Sequence, residues 1–242
     1  MKLSETLFSK VNKLWDEAAH KDFVVQMAKG TLGAERFKHY MIQDYLYLTD
    51  YIDVLNKTKE LVESDELISF IENIIKGTTN ETVTVHIPNM KRIGITDDDI
   101  KNAKKEPVIE EYVSYMKDCL NEYGLLAGLT ALLQCSWVYA YIGQKDSLEF
   151  KNELVNSEYK DWFEAYSGEH YVKANQRWVE VLDKEFEKYS KMINQSGLNT
   201  NEQSKKNSTV NVIGDSNQDM LLKLCVIFEK CAEFENRFWD VL

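Results

Sequence analysis

Proline and glycine are scarce in this sequence, and their scarcity constrains the fold more than any other feature. Pro88 and Pro107 are the only prolines among 242 residues, which include ten glycines. Apolar residues recur at helical spacing over nearly the whole length, and few residues interrupt the pattern. We therefore predict an all-α protein. Its helices are expected at about 4–28, 34–58, 66–86, 96–104, 108–123, 125–143, 147–155, 158–167, 169–193 and 217–240.

Three segments between helices carry local signals. GTLGAERF, beginning at Gly30, predicts a turn followed by a helix start. HIPNMKRIGITDDDI predicts a break at Pro88 and then a helix capped by Thr96, with acidic residues in its first turn. Residues 194–217 are rich in Asn, Ser, Thr and Gly, so a long exposed loop is expected there. Because that loop joins helices expected to share one core, we predict a single domain over 1–242.

Charge and composition argue against several classes of protein. A net charge of -11 disfavours nucleic acid and anionic membranes as partners. No apolar run approaches the roughly 18 residues of a membrane span, and the charged amino terminus does not resemble a signal peptide, so a cytoplasmic location is predicted. The four cysteines, at 119, 135, 225 and 231, lack C-x-x-C spacing. They are therefore expected to stay reduced, without a disulfide framework or a zinc site.

Two acidic residues occupy positions where a helix would normally bury an apolar side chain. Asp44 lies at the centre of an apolar stripe, and Glu235 does the same on the last predicted helix. Since a buried carboxylate without a partner is costly, polar groups must meet both. Each acid could instead be structural: Asp44 bonded to a tyrosine or a backbone amide, Glu235 in a buried ion pair or capping another element.

Cys135 and Tyr112 follow the same pattern on two further helices. Cys135 lies on an apolar face with Tyr139 one turn later, although a buried free cysteine is often only a small core residue. Together, a thiol, two acids and a surplus of tyrosines favour a pocket for a flat, nitrogen-rich aromatic ligand, with covalent and acid–base chemistry. Sequence leaves open whether Tyr112 or Asp44 activates the thiol.

Metal chemistry is the obvious alternative for an all-α chain with buried acids. Carboxylate-bridged di-iron bundles use Glu-x-x-His motifs, which this sequence lacks. Its histidines have no ligand spacing, and we predict surface or loop positions for all four: His20, His39, His86 and His170. No metal and no other cofactor is therefore predicted.

Five segments, in order along nearly the whole chain, resemble the TenA, or thiaminase II, family. They are GTLGAERFKHYMIQDYLYL (30–48), EEYVSYM (110–116), LTALLQCSWVYAYIG (129–143), DWFEAYSGEHY (161–171) and FENRFWDVL (234–242). The resemblance implies a helical fold like that of haem oxygenase and a homotetramer. It also implies hydrolysis of 4-amino-5-aminomethyl-2-methylpyrimidine to the 5-hydroxymethyl pyrimidine and ammonia for thiamin salvage, with slower hydrolysis of thiamin.

The resemblance also implies residue roles. Cys135 would be the nucleophile, which places the chain in the family's cysteine-containing class, and Glu235 the general acid. Asp44 would bind the pyrimidine amino group and a ring nitrogen, and the pocket would be lined by Tyr47, Tyr112, Tyr139 and Tyr166. The chain departs from many members at Gln134, where they carry proline. A non-catalytic pyrimidine-binding protein and a cofactor-independent oxidase are the alternative functions.

Overall fold

The structure is a computed structural model that describes residues 2–82, 86–203 and 216–242, all-helical and without a strand in those ranges. Its helices are α1 Leu3–Ala19, α2 Asp22–Ala28, α3 Ala34–Glu60, α4 Asp65–Glu81, α5 Ile87–Arg92, α6 Asp97–Asn102, α7 Pro107–Tyr123, α8 Leu125–Glu149, α9 Lys151–Leu154, α10 Lys160–Ser167, α11 Glu169–Gln203 and α12 Asn217–Val241. The predicted all-α class is confirmed.

Helix α8 lies at the centre of the bundle. It packs against α1, α3, α7, α10, α11 and α12. Its length and apolar composition would suit a membrane span, but 78% of the apolar window is buried inside the fold. That burial is typical of a core helix, and it explains why the α8 sequence is apolar on nearly every face.

Two predicted helix starts are confirmed at their caps. Gly30 ends α2 with φ +68°, a conformation that glycine adopts without strain, and α3 begins four residues later. Thr96 accepts a hydrogen bond from the backbone of Asp99, whose carboxylate in turn accepts from the Thr96 backbone amide. This reciprocal cap fixes the start of α6.

Several predicted helix boundaries were wrong. The helix expected over 4–28 breaks at His20 and Lys21, where the His20 ring bonds the Asp16 carbonyl and Lys21 is extended, so α2 turns to bury Phe23 and Met27. Instead of ending a helix, Gly143 lies inside α8. Pro88 lies in the first turn of α5, a position where its missing amide costs nothing.

Residues 194–203, the first part of the predicted loop over 194–217, are helical instead, whereas the predicted start of the last helix at 217 is confirmed. Helix α11 continues through Gln203, and Ser216 caps α12 by accepting from the Asp219 backbone amide. Residues 204–215, the middle of the predicted loop, lie outside the described part of the chain.

Candidate active site

Three helices that are distant in sequence each direct one reactive group to the same interior place. Asp44 comes from α3, Cys135 from α8 and Glu235 from α12, and their exposed fractions are 4%, 9% and 3%. A chamber of about 70 Å³ is lined by Asp44 and Cys135, and Glu235 lines a smaller void beside it. Tyr47 and Tyr139 line both spaces, so the three groups lie around two neighbouring spaces.

The Cys135 thiol and the Glu235 carboxyl lie in polar contact, and each affects the protonation of the other. Burial raises the pKa of Glu235 to about 7; its neighbours Cys135 and Tyr112 oppose that rise, and Asp44 adds to it. Burial also raises the pKa of the Cys135 thiol well above its ordinary value, and the Glu235 charge adds to the rise. Near neutral pH the pair therefore holds a thiol and a partly protonated acid.

Tyr47 is the side chain that favours the charged form of Cys135. Its hydroxyl lowers the pKa of the thiol, whereas the charge of Asp44 raises it. The sequence left Tyr112 and Asp44 open as groups that activate the thiol. Asp44 does not fit that role, because its charge raises the pKa of the thiol instead of lowering it. Tyr112 instead contacts Glu235 and donates a hydrogen bond to Oε1 of Gln134 at 2.9 Å.

Asp44 has the polar partner that its burial requires, but the partner is a histidine. Nδ1 of His86 lies 3.3 Å from Oδ2 of Asp44, and both side chains are buried. The prediction that all four histidines lie at the surface or in loops is therefore wrong for His86. The residue precedes Pro88 in a segment that sequence patterns treat as a break, so its inward direction has no periodic signal.

The predicted tyrosines form the walls of the site through ring contacts. Tyr47 stacks on Tyr112 with ring centroids 5.7 Å apart, and Tyr139 meets Tyr166 edge to face at 5.0 Å. All four are buried. Such contacts fix the rings in place and so define the shape of the walls.

Comparison of this chain with known proteins shows which family it matches. The family model described as TENA/THI-4/PQQC matches residues 8–198. The chain belongs to the TENA/THI-4/PQQC family.

Curated relatives of this TENA/THI-4/PQQC-family chain include two proteins named aminopyrimidine aminohydrolase. That of Halalkalibacterium halodurans is 24% identical over 100% of this chain and 95% of the relative. That of Helicobacter pylori is 26% identical over 100% and 98%. A solved TenA homologue from P. horikoshii has a TM-score of 0.78 at 22% identity and covers 100% of this chain and 98% of its own, which shows the fold.

Sequence reasoning missed several polar residues of the chamber in this TENA/THI-4/PQQC-family chain. Ser136, Tyr171 and Trp178 line it, and the hydroxyl groups of Ser136 and Tyr171 are 3.2 Å apart. Tyr171 and Trp178 are seven residues apart on α11, a spacing that places them on one face and that could have revealed them.

Two buried polar atoms at the site have no hydrogen-bond partner among the described residues. They are Oε1 of Glu235 and Nε1 of Trp178. Because buried polar groups are normally satisfied, these atoms indicate a site built for a polar ligand. In the described part of the chain, including this site, no three His, Cys, Asp or Glu side chains are grouped so as to hold a metal ion.

A wider cavity of about 350 Å³ lies on the other side of His86 and Tyr166. Aromatic side chains of Phe37, Tyr159 and Trp162 contribute to its walls. Since Tyr166 lines both cavities and His86 contacts Asp44, this space adjoins the chamber.

Proposed function

We propose that this chain is an aminopyrimidine aminohydrolase, a thiaminase II, acting in thiamin salvage. Its substrate would be 4-amino-5-aminomethyl-2-methylpyrimidine, and thiamin would be hydrolysed more slowly. The observation that carries the proposal is the buried contact of Cys135 with Glu235, whose pKa is about 7, inside a tyrosine-walled chamber. Relatives named for this activity match the chain over its whole length.

Glu235 has the protonation that an acid catalyst needs at neutral pH. A carboxyl whose pKa is about 7 is partly protonated there, so it can give a proton to a ring nitrogen of the pyrimidine. The protonated ring then becomes electrophilic at carbon. Oε1 of Glu235, which has no hydrogen-bond partner among the described residues, is the atom available for this contact.

Cys135 would act as the nucleophile in two balanced steps. Its sulfur forms a bond to a ring carbon, the thiol proton passes to the amino group, and the ring electrons expel that group from the exocyclic methylene as ammonia. Water then adds to the methylene, one proton is released, and the carbon–sulfur bond breaks to restore the thiol and the ring. The sum is amine plus water giving alcohol plus ammonia.

Other residues of the chamber would support these steps. Tyr47 stabilises negative charge as it develops on sulfur, because its hydroxyl already favours the thiolate. Asp44, held by His86, would accept from the amino group of the pyrimidine. Tyr112, Tyr139 and Tyr166 would pack against the flat ring.

As part of the same proposal, the chain forms a homotetramer and is located in the cytoplasm. Leu222 and Val226, one turn apart on α12, are 55% and 62% exposed, and such a pair of apolar side chains suits a contact between copies. Light scattering on the purified protein would measure the number of subunits.

The deciding experiment compares the wild type with Cys135→Ala in turnover of the aminomethyl pyrimidine, with the hydroxymethyl product followed by mass spectrometry. We expect the variant to lose activity by a factor of about 10³ or more, because no other group can form the covalent intermediate. Cys225→Ala is the matched control, since it removes a buried thiol of α12 that does not line the chamber. Equal turnover by Cys135→Ala would refute the nucleophile, and tight binding without turnover in the wild type would favour a carrier.

A further inference from the structure

A second group of polar side chains lines the chamber beside Cys135, and the chemistry described so far gives it no task. Ser136 directly follows Cys135 on α8, and Tyr171 and Trp178 come from one face of α11. Trp178 is 3% exposed, and its Nε1 has no hydrogen-bond partner among the described residues. Because a buried donor normally meets an acceptor, this part of the wall suits a ligand that carries one.

The hydroxyl group of Tyr171 sets the direction of the Ser136 hydroxyl. Tyr171 donates its only proton to the Ser136 carbonyl oxygen at 3.2 Å, and the two hydroxyl oxygens are also 3.2 Å apart. In the contact between the two hydroxyl groups, Ser136 is therefore the donor and Tyr171 the acceptor. The lone pairs of Ser136 Oγ then remain to accept a hydrogen bond from a ligand.

Trp178 and Ser136 together offer the two contacts that orient a water molecule. Nε1–H of Trp178 can only donate, whereas Oγ of Ser136, whose proton is engaged by Tyr171, can accept. A water molecule that accepts from Trp178 and donates to Ser136 keeps one lone pair and one proton for other contacts. Its remaining lone pair has a fixed direction and is the pair that can attack carbon.

We propose that Ser136 and Trp178, with Tyr171 orienting Ser136, hold the water molecule that completes the hydrolysis. This inference rests on the proposed function, in which the substrate ring occupies the chamber that these residues line together with Cys135. The water oxygen forms a bond to the exocyclic methylene carbon, and the double bond there shifts into the ring. The carbon–sulfur bond breaks as sulfur leaves with its electron pair, and the proton lost by the water restores the thiol.

The proposed role belongs to the second step of the reaction and not to the first. Ammonia leaves before the water adds, so loss of the water contacts should slow the decay of the covalent intermediate and spare its formation. An intermediate that forms at the normal rate and decays slowly accumulates, and single-turnover and burst measurements separate the two rates. A purely structural role would lower both rates together.

The test uses two variants that each remove one contact to the water. Trp178→Phe keeps an aromatic ring beside Phe70 but removes the N–H donor, and Ser136→Ala removes the acceptor. In rapid-quench experiments with the aminomethyl pyrimidine, we expect ammonia to appear in a burst approaching one per active site. The ratio of the second-step rate to the first-step rate should fall about tenfold or more, because the water is no longer oriented. Mass spectrometry of the quenched protein should show the substrate, less ammonia, attached to Cys135.

Each variant has a matched control outside the chamber. Trp15 is also buried and its Nε1 also lacks a partner among the described residues, but it lies on α1 away from the chamber lining. Ser147 is half-buried on α8, as Ser136 is, and does not line the chamber. Trp15→Phe and Ser147→Ala should leave the ratio of the two rates unchanged.

The ratio of the two rates is measured within one sample, so it does not depend on the fraction of folded protein. If Trp178→Phe fails to fold, Ser136→Ala gives an independent reading. Variants that keep the wild-type ratio, or that slow the release of ammonia instead, would overturn the inference and leave the proposed function standing. A wild type that releases no ammonia would refute the proposed function, and the inference with it.

Discussion

In the Asp44–His86 pair, the His86 ring both compensates the buried charge of Asp44 and orients its carboxylate. Both side chains lie almost wholly inside the fold, with Nδ1 and Oδ2 3.3 Å apart. A carboxylate oriented by a ring nitrogen keeps its second oxygen in one direction. On the proposed function, that direction is toward the amino group of the pyrimidine.

Replacing His86 should therefore weaken substrate binding. We expect His86→Leu to raise KM and lower kcat/KM about 10- to 100-fold, since it removes the ring nitrogen that lies beside the buried Asp44 carboxylate, and losing a group that orients a binding side chain typically costs activity on that scale. His86→Asn should retain most of the affinity, because its amide nitrogen can occupy the place of Nδ1. Steady-state kinetics with the aminomethyl pyrimidine would measure both.

His39→Leu controls for the loss of a histidine in general. His39 pairs with Glu106 at 3.0 Å and lines neither cavity. Its replacement should leave KM unchanged. Equal KM values for the wild type and His86→Leu would mean that His86 does not position Asp44 for substrate.

At the scale of helices, α8 and α10 approach so closely that one position of α8 admits no side chain. A Cβ atom built at Gly143 would lie 2.8 Å from the Ser167 amide nitrogen and 2.8 Å from the Tyr166 carbonyl carbon. These are backbone atoms, which cannot move aside as a flexible side chain would. The close approach sets the depth of Tyr166 in the wall of the chamber.

Gly143→Ala should consequently destabilise the protein by about 1–3 kcal/mol, although alanine is the better helix former. It should also lower activity by displacing Tyr166. Urea unfolding would measure the first effect and turnover the second. In Gly77→Ala, where α4 offers open space around the Cβ, the same substitution should instead stabilise by about 0.5–1 kcal/mol.

Gly143 also shows which features of the helices cannot be predicted from the sequence. Periodicity predicts that helices exist and which faces they bury, so Asp44, Cys135 and Glu235 can be predicted to point inward from their own helices. Whether a glycine ends a helix or lets a neighbour approach depends on the partner helix, which a local pattern does not contain. Periodicity missed His86 for a related reason, because its place in the site depends on its contact with Asp44 of α3.

For the molecule as a whole, Asp146 links protonation to stability away from the chamber. It is completely buried on α8, and neither carboxylate oxygen has a hydrogen-bond partner among the described residues. Burial, the dominant effect, raises the pKa of Asp146 to about 7; Glu149 adds to the rise, and His20 and Lys145 oppose it. At neutral pH the Asp146 carboxyl is therefore still partly protonated in the folded protein.

The sign of the effect on stability follows from comparing the two states. Between the unfolded pKa, about 3.9, and the folded pKa, about 7, the folded protein keeps a proton that the unfolded chain has released. The contribution of Asp146 to the free energy of unfolding is therefore most favourable at low pH, and it is lost as the pH rises through this window. Asp146→Asn removes the ionisation while keeping the shape. From pH 5 to pH 8 the variant should therefore gain about 2–3 kcal/mol relative to the wild type in urea unfolding, and a difference that stays constant with pH would show that Asp146 is ionised in the fold throughout.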